Sequence, residues 1–501
     1  MITLAAAWLV SSAFALSSCV QKTPEELHEE EAEKTFALNV LDAHGRLEYY
    51  VSENSDSIEA DLLTHQYYRD FGDWLWAESP KQLSKGHDVL RYLEEHVPQT
   101  GFSSDAFYLK LIADDLQRLD SLWFDKVNTP REVMARLEYH LTKAYVRYAQ
   151  GQRFGFTNPN KIYNRLDKKD GKYKGLFDIK VEQADSTFTH DIFEQAFDGT
   201  PVQFLTSCEP QDSAYHRLQE AMLKDTNKES RRRLLCNMER RRWRDTQAPA
   251  SDGRYILVNV PSQQLWAVSR DSVFSMRICC GASKTKSPTL SSGISRIDFN
   301  PEWNIPMSIL RNEVSAHAGD SSYFSRRRYR IVDTRTGKTV SGNHVSAAQI
   351  SSGNFRVSQA SGAGNSLGRI IFRFPNHYSV YLHDTNNRSA FNKEVRTVSH
   401  GCVRVQRPFD LVKFVLPNAD EWTLDRMRIS IDMKPESQRG KNYINENGSK
   451  RLVNSQSVDL RVPVYLHYYT AYPNPQTGII ETWPDRYEYD PPMARALRPY
   501  L

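Results

Sequence analysis

A chain of 501 residues with 40% apolar and 25% charged side chains is too long for one ordinary core and too balanced for a disordered or membrane-embedded protein, so two or three globular domains are expected. A formal net charge of only +4 over that length gives no footing for nucleic-acid binding.

The first segment, "MITLAAAWLVSSAFALSSC", carries an apolar run too short to span a bilayer comfortably, followed by small residues and a cysteine. That reads as a secretion signal. Leu16-Ser17-Ser18-Cys19 resembles a bacterial lipobox, in which cleavage leaves Cys19 as a lipid-modified N-terminus; residues 1–18 are then a lipoprotein signal peptide. The expectation is an exported protein, lipid-anchored to a membrane of the periplasm or cell envelope. Residues 19–35 are acidic and polar without an apolar face, suiting a tether. With Cys19 set aside, Cys208, Cys236, Cys279, Cys280 and Cys402 are odd in number and lack CxxC spacing, which argues against a disulfide framework or zinc ribbon and leaves room for a free thiol.

From residue 36 the apolar period is helical. In "REVMARLEYHLTKAYVRYAQGQ" a stripe of Val133, Leu137, Leu141, Ala144, Tyr145 and Tyr148 predicts a packed helix, with Gly151 offering a stop. Residues 36–250 are therefore expected to form a domain of several packed helices, with 170–250 its least periodic part. The basic run "RRRLLCNMERRRWR" predicts a helix with a solvated cationic face and Leu234, Leu235, Met238 and Trp243 turned inward.

At Tyr255 the period changes to two. "RYILVNVPSQQLWAVSRDSVFSMRICCG" predicts an antiparallel meander, with Cys279 and Cys280 as small strand residues on opposite faces. Residues 307–366, polar and without strong period, read as an insertion that caps the domain. "RIIFRFPNHYSVYLHD" gives two further strands, and Pro408 suits the first position of a helix. The catalytic domain is expected over 251–435, followed by a C-terminal extension at 436–501 packing on it.

Chemistry concentrates in "SHGCVR". A cysteine nucleophile needs a base, oxyanion donors and a place on a rigid element. Gly401 suggests a sharp turn before Cys402, whose backbone N–H groups face a substrate, so His383, ending its own strand, is favoured as the base. His400 is then a turn or oxyanion-site residue. Asp384 is placed to orient the imidazole through its carboxylate or a nearby backbone carbonyl, and Arg404, alternating with Cys402, to hold a substrate carboxylate. Trp303 in "FNPEWNIP" reads as a core plug, and Tyr378 and Tyr381 are ambiguous. A zinc site from His383, His400 and Cys402 lacks a fourth ligand, so no metal or cofactor is expected.

"HDTNNRSAFNKEVRTVSHGCVRV" resembles the signature of the L,D-transpeptidase (YkuD-like) catalytic domain, with His383, Ser399, His400, Gly401, Cys402, Val403 and Arg404 matching in type and order. "YILVNVPSQQLWAV", "FNPEWNIPMSIL", "VPVYLHYYTAY" and "LEYHLTKAYVRYAQG" are similar to the longer periplasmic members with an N-terminal helical scaffold. The resemblance implies a multidomain α+β fold, with a helical scaffold domain over 36–250, a divergent peptidoglycan-binding part at 170–250 as one option within it, and a mainly β catalytic domain bearing an inserted capping subdomain. It implies that Cys402 attacks the L-to-D bond before D-Ala in peptidoglycan tetrapeptide stems, that a thioester forms, and that another stem's amine resolves it into a 3-3 cross-link. His383 is then the general base, Asp384 or its backbone the orienter, the backbone around His400, Gly401 and Cys402 the oxyanion hole, and Ser399 and Arg404 substrate-side or supporting residues. Rival readings are an L,D-carboxypeptidase that trims tetrapeptides and a noncatalytic wall-binding lipoprotein; the intact Cys402 and His383 speak against the second.

Overall fold

A computed structural model describes residues 22–53, 58–70, 72–169 and 171–501. The secretion signal and Cys19 lie outside the described residues. The fold is multidomain α+β. Two compact units divide it: one takes the chain up to Glu94 with Phe107–Val146 and His190–Phe204, the other takes Glu95–Ala106, Arg147–Thr189 and Leu205–Leu501.

The first unit is helical. Its Val133, Leu137, Leu141, Ala144 and Tyr145 are fully buried, as their spacing predicts, on the helix Pro130–Phe154. At its centre Glu138, without solvent contact, accepts from the backbone N–H groups of Leu75, Trp76 and Ala77 (2.6, 2.9 and 3.0 Å) and from the Tyr68 hydroxyl (2.6 Å). Two local expectations are corrected. Gly151 does not stop the helix: the Phe156 ring packs where a Cβ would stand, and Gly155, at φ +95°, follows the last helical residue. Nor is the polar stretch after Cys19 a tether throughout, because a helix runs from Pro24 to Glu53. Thr23 and Glu26 cap it reciprocally, Glu26 N–H donating to Thr23 Oγ1 (3.2 Å) and Thr23 N–H to Glu26 Oε2 (2.7 Å).

The second unit is built on a main sheet and a smaller one, whose strands we number together in chain order: β1 (Phe177–Asp178), β2 (Tyr255–Asn259), β3 (Gln264–Val268), β4 (Val273–Gly281), β5 (Thr289–Phe299), β6 (Trp303–Asn304), β7 (Tyr329–Asp333), β8 (Thr339–Val340), β9 (Phe355–Gln359), β10 (Ile370–Arg373), β11 (Leu382–His383), β12 (Thr397–Ser399), β13 (Val403–Val405) and β14 (Ser455–His467). Neighbours run β10-β11-β13-β4-β3-β2-β14-β5-β1, and β5 also pairs with β10, so the sheet closes on itself. β2, β3 and β4 form the expected antiparallel meander. Ile256 and Val258 face the main core with Leu265, Ile297, Leu382, Val403 and Val464, whereas Leu257 packs with Trp266 and Tyr469 on the other face. Burial on both faces explains the unbroken apolar run of β2, and Cys279 and Cys280 are likewise both buried.

The stretch 436–501 is more than an extension. Its strand β14 lies between β2, to which it is parallel, and β5, to which it is antiparallel, so the sheet is incomplete without it. The helix Lys228–Arg242 also differs from expectation: Leu234, Leu235 and Met238 point inward, but so do Arg240 and Arg242. Arg240 pairs with Asp490 (2.6 Å) and Arg242 with Glu239 (3.1 Å). These guanidinium groups are internal ion-pair partners, not a solvated face. The 307–366 insertion forms a separate sheet, β8-β7-β9, which β6 joins from just before it, and has its own core, including Leu310, Phe324, Ile331, Ile350 and Val357.

Candidate active site

The register of β11 and β13 brings the candidate groups together. These strands are parallel, with His383 opposite Arg404. Alternation along a strand puts Cys402 on the face of Arg404, and therefore of His383 and Tyr381. The Val403 N–H to Tyr381 carbonyl bond (3.1 Å) continues this ladder to the edge of the turn before Cys402. In that turn Gly401 has φ +116°, a conformation L side chains rarely adopt. Ser399 closes it from within: its hydroxyl donates to the Cys402 carbonyl (2.5 Å) and accepts from the Gly401 N–H (3.2 Å).

His383 is only 4% exposed, and its Nδ1 has no hydrogen-bond partner among the described residues. Burial, with Arg404 adding to it, lowers its pKa to about 4, against the opposing effect of backbone groups of Asp384 and Leu367. The half-buried Cys402 thiol is pushed up to about 11 by burial, partly offset by Tyr381 and Arg404. At neutral pH the pair is thus thiol and neutral imidazole. The Cys402 sulfur rests 3.9 Å from the carbonyl of Ser379, a residue itself at φ +55°.

The Asp384 carboxylate is engaged elsewhere, accepting from Arg369 N–H (2.9 Å) and Arg388 Nη1 (3.0 Å). Beside the His383 imidazole stand backbone groups of Asp384 and Leu367. Arg404 keeps an unpartnered buried Nε among the described residues. His400 is half-exposed, its Nε2 lying 2.5 Å from Glu313 of the cap.

Residues left aside in the sequence join this site. Burial pushes the Tyr381 phenol up, the Cys402 side chain adds to the shift, and hydrogen bonding from Trp303 offsets it. Tyr381 also packs edge-on against the His383 ring at 5.7 Å. Trp303 packs against the cap's core and reaches Tyr381, so it is both plug and site residue. The i, i+2 relation of Tyr381 to His383 is the signal that could have placed it. Glu313 carries no signal, because its partner is fixed only by the folded cap. Among the described residues no group of three or more His, Cys, Asp or Glu side chains is arranged to hold a metal ion.

A cysteine on a glycine turn beside a buried strand histidine is the arrangement that cysteine acyl transfer requires in general form. Residues 253–450 match the family model for the L,D-transpeptidase catalytic domain, and residues 61–222 match the model of a Scaffold domain. The chain therefore carries an L,D-transpeptidase catalytic domain together with an N-terminal Scaffold domain. A Haemophilus influenzae protein named "Putative L,D-transpeptidase" is 31% identical over 243 residues, which is 47% of this chain and 44% of that protein. The chain thus spans less than half the length of that relative.

Proposed function

We propose that the protein is a peptidoglycan L,D-transpeptidase acting through Cys402. The observation that carries this reading is the shared face of Cys402, His383 and Arg404, with a left-handed Gly401 before the thiol. His383 takes the thiol proton as sulfur attacks the carbonyl of the L-configured centre of the third stem residue. The tetrahedral intermediate collapses, the C–N bond to D-Ala breaks, and the departing amine takes the proton back from His383. The side-chain amine of a second stem then attacks the thioester, giving a 3-3 cross-link and the free thiol. The Arg404 guanidinium, with donor capacity left over, holds a carboxylate of the stem.

Incubating the protein with a disaccharide-tetrapeptide and following products by mass spectrometry tests this. Dimers that have lost one D-Ala, absent with Cys402→Ala, are expected. Tripeptide without dimer would replace the reading by L,D-carboxypeptidase, and no turnover by a wall-binding role. The lipobox resemblance supports a further element of the proposal, that Cys19 anchors the exported protein to an envelope membrane. Radiolabelled palmitate should enter the wild-type protein in cells and not Cys19→Ala; equal labelling would exclude it.

A further inference from the structure

The nucleophile turn is held from outside by a loop whose hydroxyl groups have no assigned role. Between β4 and β5, Thr285 Oγ1 donates to the Ser399 carbonyl (2.8 Å), which also accepts from Ala282 N–H (3.0 Å). Ser287 Oγ donates to the Gly401 carbonyl (2.8 Å) and accepts from Gly281 N–H (2.9 Å). Because the Gly281 N–H occupies one side of this oxygen, the Ser287 proton has one direction left, toward Gly401. Ser287 is 2% exposed, so no water competes for it.

Peptide units are planar and trans, so fixing a carbonyl fixes the following N–H in the opposite direction. Pinning the Gly401 and Ser399 carbonyls toward the β4–β5 loop turns the Cys402 and His400 N–H groups away from it. Neither N–H has an acceptor among the described residues. Two free donors flanking a left-handed glycine, next to the sulfur, form a concavity for an anion.

The loop itself is built around one tyrosine. Tyr487 OH donates to the Gly281 carbonyl (2.6 Å) and accepts from Ser287 N–H (3.1 Å). The approach is too close for a side chain at Gly281, whose Cβ would stand 2.2 Å from the Thr285 carbonyl oxygen. Tyr487 lies beyond the 253–450 stretch that matches the catalytic-domain family, so a distant part of the chain reaches the nucleophile turn through Ser287.

We propose that Ser287, seated by Tyr487, is a positioning residue that sets the Gly401–Cys402 peptide plane so that the Cys402 N–H, with that of His400, receives the oxyanion formed when Cys402 is acylated. This rests on the acyl-transfer reading above. The test compares two reactions of the same thiol in the full chain. Acylation by a disaccharide-tetrapeptide passes through an oxyanion; alkylation by iodoacetamide does not. In Ser287→Ala, acylation should fall about 10- to 100-fold with KM unchanged, while alkylation stays within about 2-fold of wild type. Ser287→Thr, which keeps the hydroxyl, should recover most of the loss. Tyr487→Phe should show the same selective loss at about 3- to 10-fold, and it answers the question if Ser287→Ala does not fold. Parallel loss of both reactions in the folded variants, or loss of neither, would overturn the proposal. A wild-type protein that is alkylated but never acylated would remove the acyl-transfer reading itself.

Discussion

At the scale of single residues, the site is decided by what burial does to two titrating groups. A thiol pushed up to about 11 and an imidazole lowered to about 4 favour the uncharged pair across the neutral range. In the acyl-transfer mechanism proposed above, proton transfer from Cys402 to His383 then accompanies attack instead of preceding it. Because His383 stays neutral until the pH falls near 4, the acid limb of kcat/KM is expected at about pH 4 to 5, not near the ordinary histidine value of about 6.5. An acid limb at 6 or above would contradict this. The stability linkage has the same sign: the folded-state pKa is depressed, so stability present above about 6.5 is lost as pH falls toward 4. Arg404 is the second cause of the depression, so Arg404→Ala should move the acid limb upward. A limb that stays in place would mean burial alone sets it.

Among elements, the capping insertion matters most for the chemistry. It meets the turn before Cys402 through Glu313 and His400, and Trp303, on the strand just before the insertion, packs on the cap's core and reaches Tyr381. The Glu313–His400 contact is half-exposed, so it is worth no more than about 1 kcal/mol. That is enough to bias a cap between closed and open by about 5-fold. Glu313→Ala should raise the rate of Cys402 alkylation about 2- to 5-fold without shifting the thermal transition by more than about 2 °C. An unchanged alkylation rate would show that this contact does not hold the cap. In the first unit the corresponding pivot is Glu138, whose loss strands three backbone N–H groups and leaves the buried Tyr68 phenol with Thr142 Oγ1 as its partner. Glu138→Ala should cost about 3 kcal/mol or more in denaturant unfolding, and a cost under about 1 kcal/mol would show that water replaces the carboxylate.

Across the whole molecule, the sequence discloses what is periodic and local. The stripe from Val133 to Tyr148, the meander from Tyr255 and the glycine turn at Gly401 could all be read because each is specified within a few residues. What could not be read depends on distant partners. The arginines of the basic run look solvated until Asp490, some 250 residues on in sequence, supplies a buried counter-charge to Arg240. β14 looks like an appendage because its pattern does not reveal that it enters between β2 and β5. Ser287 is silent for the same reason, since Gly281, Gly401 and Tyr487 meet it only in the fold. The Thr23–Glu26 capping box was local and visible, yet the acidic composition around it obscured it.

The proposed chemistry is tested most directly by trapping the acyl-enzyme. Full-length protein quenched in acid within seconds of mixing with a disaccharide-tetrapeptide should gain the mass of the stem less D-Ala, and peptide mapping should place the adduct on Cys402 as a thioester that hydroxylamine removes. No adduct on the wild-type protein, or one that survives in Cys402→Ala, would contradict a cysteine acyl-transfer mechanism at this site.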